Sequence, residues 1–209
     1  LTDAMAVVGW IMPECFDYKT AVVGAAGGYG AYCGDDGRAF SITNDIGAVY
    51  EHDNNVITTG EGAGITAYDG AIVSATSNTI SGASGGSGFG IRDSTVLAHR
   101  NTVGPITGYN GFWVYGQSEV EIENNTIQDT AKEPIQIGEY HYRDQGSNYP
   151  GPSPNRAYIA NNIISNNSGT CNSLWMYGGD FNCPAIHVFT SSATIVDNTV
   201  TCLLYTSDA

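Results

Sequence analysis

The sequence predicts an all-β, single-domain solenoid, a parallel β-helix of about 23 residues per coil with an asparagine ladder at one turn. Six Asn-x-(Ile/Val) triplets carry that expectation: Asn55-Val-Ile57, Asn78-Thr-Ile80, Asn101-Thr-Val103, Asn125-Thr-Ile127, Asn162-Ile-Ile164 and Asn198-Thr-Val200. Their steps are 23, 23, 24, 37 and 36 residues, so each of the last two intervals reads as one coil plus an insertion. Between these marks apolar residues alternate in short stretches: Val120 and Ile122 before Ile127, Ala193 and Ile195 before Val200, Phe89 and Ile91 before Val96. Period two is the period of a strand, and strands of successive coils then stack in parallel about 4.8 Å apart.

Along the chain, residues 1–38 fit the repeat poorly. Leu1 to Met12 reads as an irregular end piece and Ala21-Val-Val23 as an early strand. Residues 39–202 form the column, with insertions at 139–154 and 166–184, and 203–209 is a tail. An Asn at the same turn of each coil tolerates left-handed backbone geometry, and its amide can bond to the equivalent Asn above and below. Asn55, Asn78, Asn101, Asn125, Asn162 and Asn198 are therefore read as a structural ladder rather than a binding site. Parallel crossovers favour a right-handed coil.

At 209 residues and 42% hydrophobic, the chain can bury a substantial core. Seven Lys and Arg against 21 Asp and Glu give a formal charge of −14, which argues against a nucleic-acid partner and, unless a metal or a local basic cluster intervenes, against any polyanion. The longest apolar run, Ala4 to Met12, is too short to span a bilayer and lacks the basic flank of a signal peptide. A start at Leu1 rather than Met points to a processed product or a piece of a longer polypeptide. Five cysteines suggest an oxidising compartment, with Cys15 to Cys33 and Cys171 to Cys183 as the favoured local pairs and Cys202 left over. Buried thiols are the alternative. Asn124 and Asn166 each open a glycosylation sequon.

Two stretches, Gly90-Ile91 through Asn101-Thr-Val103 and Val120-Glu-Ile-Glu-Asn-Asn-Thr-Ile127, carry a Gly-Ile … Val-x-Ile-x-x-Asn-x-Ile pattern in pieces. Over roughly residues 39 to 202 the chain resembles the right-handed parallel β-helix superfamily with pectate-lyase-like folds. That group includes polysaccharide hydrolases, epimerases, phage tailspikes and adhesins, so the resemblance implies a fold far more than a function. It also implies a ligand groove over one strand of each coil, recurring here as Gly64-Ile-Thr66, Gly90-Ile-Arg92, Trp113-Val-Tyr115, Gln136-Ile-Gly138 and His187-Val-Phe189.

With Ile65, Ile91, Val114, Ile137 and Val188 inward, alternation puts Arg92, Trp113, Tyr115, Gln136, His187 and Phe189 outside on one face. Stacked rings among hydrogen-bonding groups suit sugars, and an aromatic strip suits a protein contact equally well. The insertions should flank this face, the first with Tyr140, His141, Tyr142, Arg143 and Asp144, the second with Trp175, Tyr177 and Asp180. If the groove is catalytic, His141, Arg143 and His187 are the acid, base or charge-stabilising candidates of a lyase or epimerase. Hydrolysis would instead draw on Glu133, Glu139, Asp144 and Asp180.

No diagnostic catalytic motif is visible. His52, His99, His141 and His187 show no ligand spacing along the chain, so no metal or other cofactor is expected. Glu119, Glu121 and Glu123 read as a solvated face in preference to a calcium site. A solenoid without evident capping helices exposes strand edges at its ends, which invites end-to-end or lateral association with another copy; a cap encoded beyond residue 209 is the equal alternative. The expectation is an extracellular or cell-surface structural protein, a fibre, surface-layer or adhesin subunit with an aromatic groove for glycans. A secreted polysaccharide-active enzyme using the same groove is the alternative.

Overall fold

The computed structural model describes residues 40–43, 49–58, 63–68, 70–138, 155–167, 170–172, 180–182, 184–189 and 191–203. Among these residues the chain winds through six coils of three short strands. The first holds β1 (Phe40–Thr43), β2 (Val49–Asp53) and β3 (Val56–Thr58), and the second β4 (Ile65–Tyr68), β5 (Ile72–Thr76) and β6 (Thr79–Gly82). The third holds β7 (Phe89–Arg92), β8 (Thr95–His99) and β9 (Thr102–Ile106), and the fourth β10 (Phe112–Tyr115), β11 (Glu119–Glu123) and β12 (Thr126–Gln128). The fifth holds β13 (Ile135–Ile137), β14 (Arg156–Ala160) and β15 (Ile163–Asn167). An antiparallel hairpin, β16 (Thr170–Asn172) with β17 (Asp180–Asn182), precedes the sixth coil of β18 (Ile186–Val188), β19 (Ser192–Val196) and β20 (Thr199–Leu203).

Like strands of successive coils pair in parallel and make three six-stranded sheets. The first is β1-β4-β7-β10-β13-β18, the second β2-β5-β8-β11-β14-β19 and the third β3-β6-β9-β12-β15-β20. No described helix is long and apolar enough to cross a membrane.

Alternation fills the column. Ile57, Ile80, Val103, Ile127 and Ile164 stack from the third sheet, Val73, Val96 and Val120 from the second, and Ile65, Phe89, Phe112 and Ile135 from the first; all are buried. Phe89 and Phe112 lie face to face, 4.4 Å between ring centroids and 5° from parallel. Ile91, Val114 and Ile137 form the second inward row of the first sheet. At the turn that enters this sheet, neighbouring backbones approach so closely that a Cβ at Gly88 would lie 2.7 Å from the Gly111 carbonyl oxygen and 2.5 Å from Val103 Cγ1. Glycine recurs there at Gly64, Gly88 and Gly111.

The six asparagines form one continuous hydrogen-bonded file. Each Nδ2 donates to Oδ1 of the Asn in the next coil, at 2.9, 3.0, 3.0, 3.0 and 2.8 Å from Asn55 to Asn198. The same oxygens accept the backbone N–H groups of Asn55, Asn78, Asn101, Asn125 and Asn162. From Asn101 onward each Nδ2 also reaches a carbonyl in the preceding coil, as in Asn101 to Ala75 and Asn125 to Ala98. The left-handed residue of the turn is not the ladder Asn but the one before it: Asn54, Ser77, Arg100, Asn124, Asn161 and Asp197 all have φ between 52° and 58°. That correction has a physical reason, because the ladder residue needs a regular backbone to aim its amide along the column. The preceding residue makes the bend.

The column keeps the chain through Asn167, two residues into the expected 166–184 insertion, because buried Asn167 Oδ1 accepts from Thr130 N and Oγ1 at 3.4 and 2.9 Å. Cys171 sits opposite Phe181 in the hairpin. The proposed Cys15–Cys33 and Cys171–Cys183 pairs, the end piece 1–38 and the insertion 139–154 lie outside the described residues or side chains.

Candidate functional site

The outer face of the first sheet is built in two rows. Strand register lines up Thr66, Gly90, Trp113, Gln136 and His187, and beside them Tyr68, Arg92 and Tyr115, with Phe189 just past β18. Inward neighbours are locked in the core, so the outward side chains project from a backbone with little freedom. Trp113 and Tyr115, two apart on β10, stack at 4.7 Å with a 28° tilt. Tyr109, from the turn before β10, continues the platform 6.4 Å from Trp113 and 12° from parallel.

Cations sit on the rings at its margins. Lys132 Nζ lies 4.2 Å from the Tyr109 centroid, and Arg92 Cζ 4.9 Å from that of Tyr68. Arg92 Nε is also 3.6 Å from Asp93 Oδ2. Tyr109 and Lys132 share one coil position, joined by the Lys132 N–H donating to the Tyr109 carbonyl at 3.2 Å.

The next position along that turn is polar and buried. Asn110 Nδ2 donates to Glu133 Oε2 at 3.1 Å and to Gln136 Oε1 at 3.2 Å, and Gln136 Nε2 donates to the Gly138 carbonyl. Glu133, only 7% exposed, holds Oε1 3.2 Å from His187 Nδ1. Burial by itself raises the carboxyl pKa; the hydrogen bond from His187, a backbone hydrogen bond, the His187 charge and Asn110 outweigh it, leaving the group below its usual value. With Glu133 ionised, the proton of the pair resides on Nδ1. The His187 ring in turn packs on Phe189, 3.5 Å between centroids.

Of the residues expected on this face, Arg92, Trp113, Tyr115, Gln136, His187 and Phe189 are all half-buried there. Trp113 and Tyr115 meet each other, while Gln136 and His187 join a polar cluster through Asn110 and Glu133. Tyr140, His141, Tyr142, Arg143, Asp144, Trp175 and Tyr177 lie outside the described residues, as does the side chain of Asp180, which begins β17 opposite Asn172. Sequence reading missed Tyr68, Tyr109, Asn110 and Lys132. A signal for two contacts was available: Tyr109 and Lys132, and Asn110 and Glu133, are each one 23-residue step apart, the same step as the ladder.

Comparison with known proteins is confined to the fold. No curated protein and no solved structure matches the chain. A family model described as a right handed beta helix region matches residues 26–202, most of the sequence, and with three parallel sheets wound about one core the chain belongs to that family.

Proposed function

We propose that this chain is a structural β-helix subunit of an extracellular or cell-surface assembly, a fibre, surface layer or adhesin, that contacts glycans through the outer face of its first sheet. The observation that carries the reading is the Trp113–Tyr115 stack, extended by Tyr109 and bordered by Gln136, His187 and Glu133. Half-exposed stacked rings offer apolar area to the C–H groups of a sugar, and the flanking Gln136 amide and His187 imidazole offer partners for its hydroxyls. A net charge of −14 and a carboxylate kept ionised beside the platform favour neutral sugars over uronates.

The test is affinity electrophoresis against neutral and uronate polysaccharides. Retardation by a neutral glycan, reduced roughly tenfold in affinity by Trp113→Ala, is expected for loss of about 1–2 kcal/mol of ring contact. Equal retardation of the variant would remove the platform from the reading. The Glu133–His187 pair favours a second reading, a polysaccharide-active enzyme, because a carboxylate that orients an imidazole is a common acid–base arrangement. Release of reducing ends or appearance of unsaturated ends, abolished by His187→Ala, would replace the structural reading with that one.

A further inference from the structure

The outer face of the second sheet holds a separate cluster. His99 on β8 is the register partner of Glu123 on β11, and Glu121 stands two residues before Glu123 on the same face. Side chains in such positions are free to splay apart into water, and two carboxylates have an electrostatic reason to do so. Instead one imidazole nitrogen and one oxygen from each carboxylate all lie within 4.8 Å of one another. No Arg or Lys forms an ion pair with Glu121 or Glu123 among the described residues.

A second observation concerns direction. His99 Nε2 is shielded from solvent and lies 3.0 Å from Glu121 Oε1, yet the contact lacks the angle of a hydrogen bond, and the nitrogen has no other hydrogen-bond partner. Nitrogen and oxygen that stand this close with no hydrogen bond between them are near the separation of neighbouring ligands of a common ion. Ligands about 2.0–2.2 Å from a tetrahedral zinc ion stand about 3.3–3.6 Å apart, against separations of up to 4.8 Å in the cluster, so binding draws the three side chains together.

We propose that His99, Glu121 and Glu123 bind one divalent transition-metal ion of the zinc class, which ties the third coil to the fourth. An imidazole with two carboxylates selects Zn2+ or a neighbouring first-row ion over Ca2+, which takes oxygen ligands. Water completes the coordination. The chain's negative charge raises the local concentration of any cation, so binding must be shown to depend on these three residues.

The purified whole chain, with its thiols alkylated to remove cysteine ligation, is titrated with Zn2+ by calorimetry. One ion per chain is expected, with affinity reduced at least tenfold by His99→Asn and by Glu123→Gln, and unchanged by Glu119→Gln, a carboxylate on the same strand outside the cluster. In the unaltered protein, substoichiometric Mn2+ should broaden amide resonances of residues 97–99 and 121–123 before those of 135–137. No stoichiometric Zn2+ site, binding indifferent to His99→Asn, or broadening spread evenly over the acidic surface would each overturn the proposal. Binding to sugars is unaffected by either outcome, because the first and second sheets present different faces.

Discussion

Glu133 is a carboxylate almost removed from water, and what keeps it charged is the company of His187 and Asn110. Its folded pKa lies below the usual value of about 4.3, so the pair contributes stability that is fully present above that value and is lost as pH falls through the folded one. Glu133→Gln should therefore cost about 1.5–3 kcal/mol near neutral pH, the range for a hydrogen bond to a charged group, and the gap to the parent should close as pH falls through the folded pKa. Urea midpoints of both proteins over a pH series descending from 7 check this; a gap that nowhere narrows on the acid side would assign the loss to packing. Glu133 and His187 are 54 residues apart. Their meeting is invisible to motif search and becomes legible only when positions are compared by coil.

At the scale of the element, the Asn file shows how a weak local preference becomes strong through repetition. Asn101 Oδ1 satisfies two donors of Asn78, and its Nδ2 serves both Asn125 and the Ala75 carbonyl, all in the dry interior. Asn101→Ala leaves several of these groups without partners, at about 1–3 kcal/mol for each buried group unpaired. A total loss of about 2–5 kcal/mol is expected, read as the shift of the denaturant midpoint followed by circular dichroism; a change under about 1 kcal/mol would mean that water enters the file. The triplet pattern made this ladder legible because its signal lies in residue type and spacing. The left-handed residue escaped, since Asn, Ser, Arg and Asp all occupy it and composition marks no single position.

For the whole molecule the sixth coil differs from those before it. Ile195 and Val200 continue inward columns whose preceding members, Ile159 and Ile164, have no exposed surface, yet they are 47% and 44% exposed. That apolar face would suit another β-coil, whether of a continuing polypeptide or of a second copy, and the two are told apart by mass. Sedimentation velocity over a concentration series should show growth in mass for the parent, and a largely concentration-independent species for the double variant Ile195→Asp, Val200→Asp. Identical profiles would leave the end face without a role in assembly.

The sequence by itself determined the column: its coil length, its parallel strands, its inward columns and the file of asparagines. Each follows from interactions that recur at a constant step, so periodicity alone reports them. Alternation already put Trp113 and Tyr115 on one face, and only the tertiary structure decided which outward side chains touch: the Trp113–Tyr115 stack, the Glu133–His187 pair and the His99–Glu121–Glu123 cluster. The Glu133–His187 and His99–Glu121 contacts run between coils, the Trp113–Tyr115 stack lies within one strand, and all depend on the torsions of single side chains, which a one-dimensional pattern does not encode.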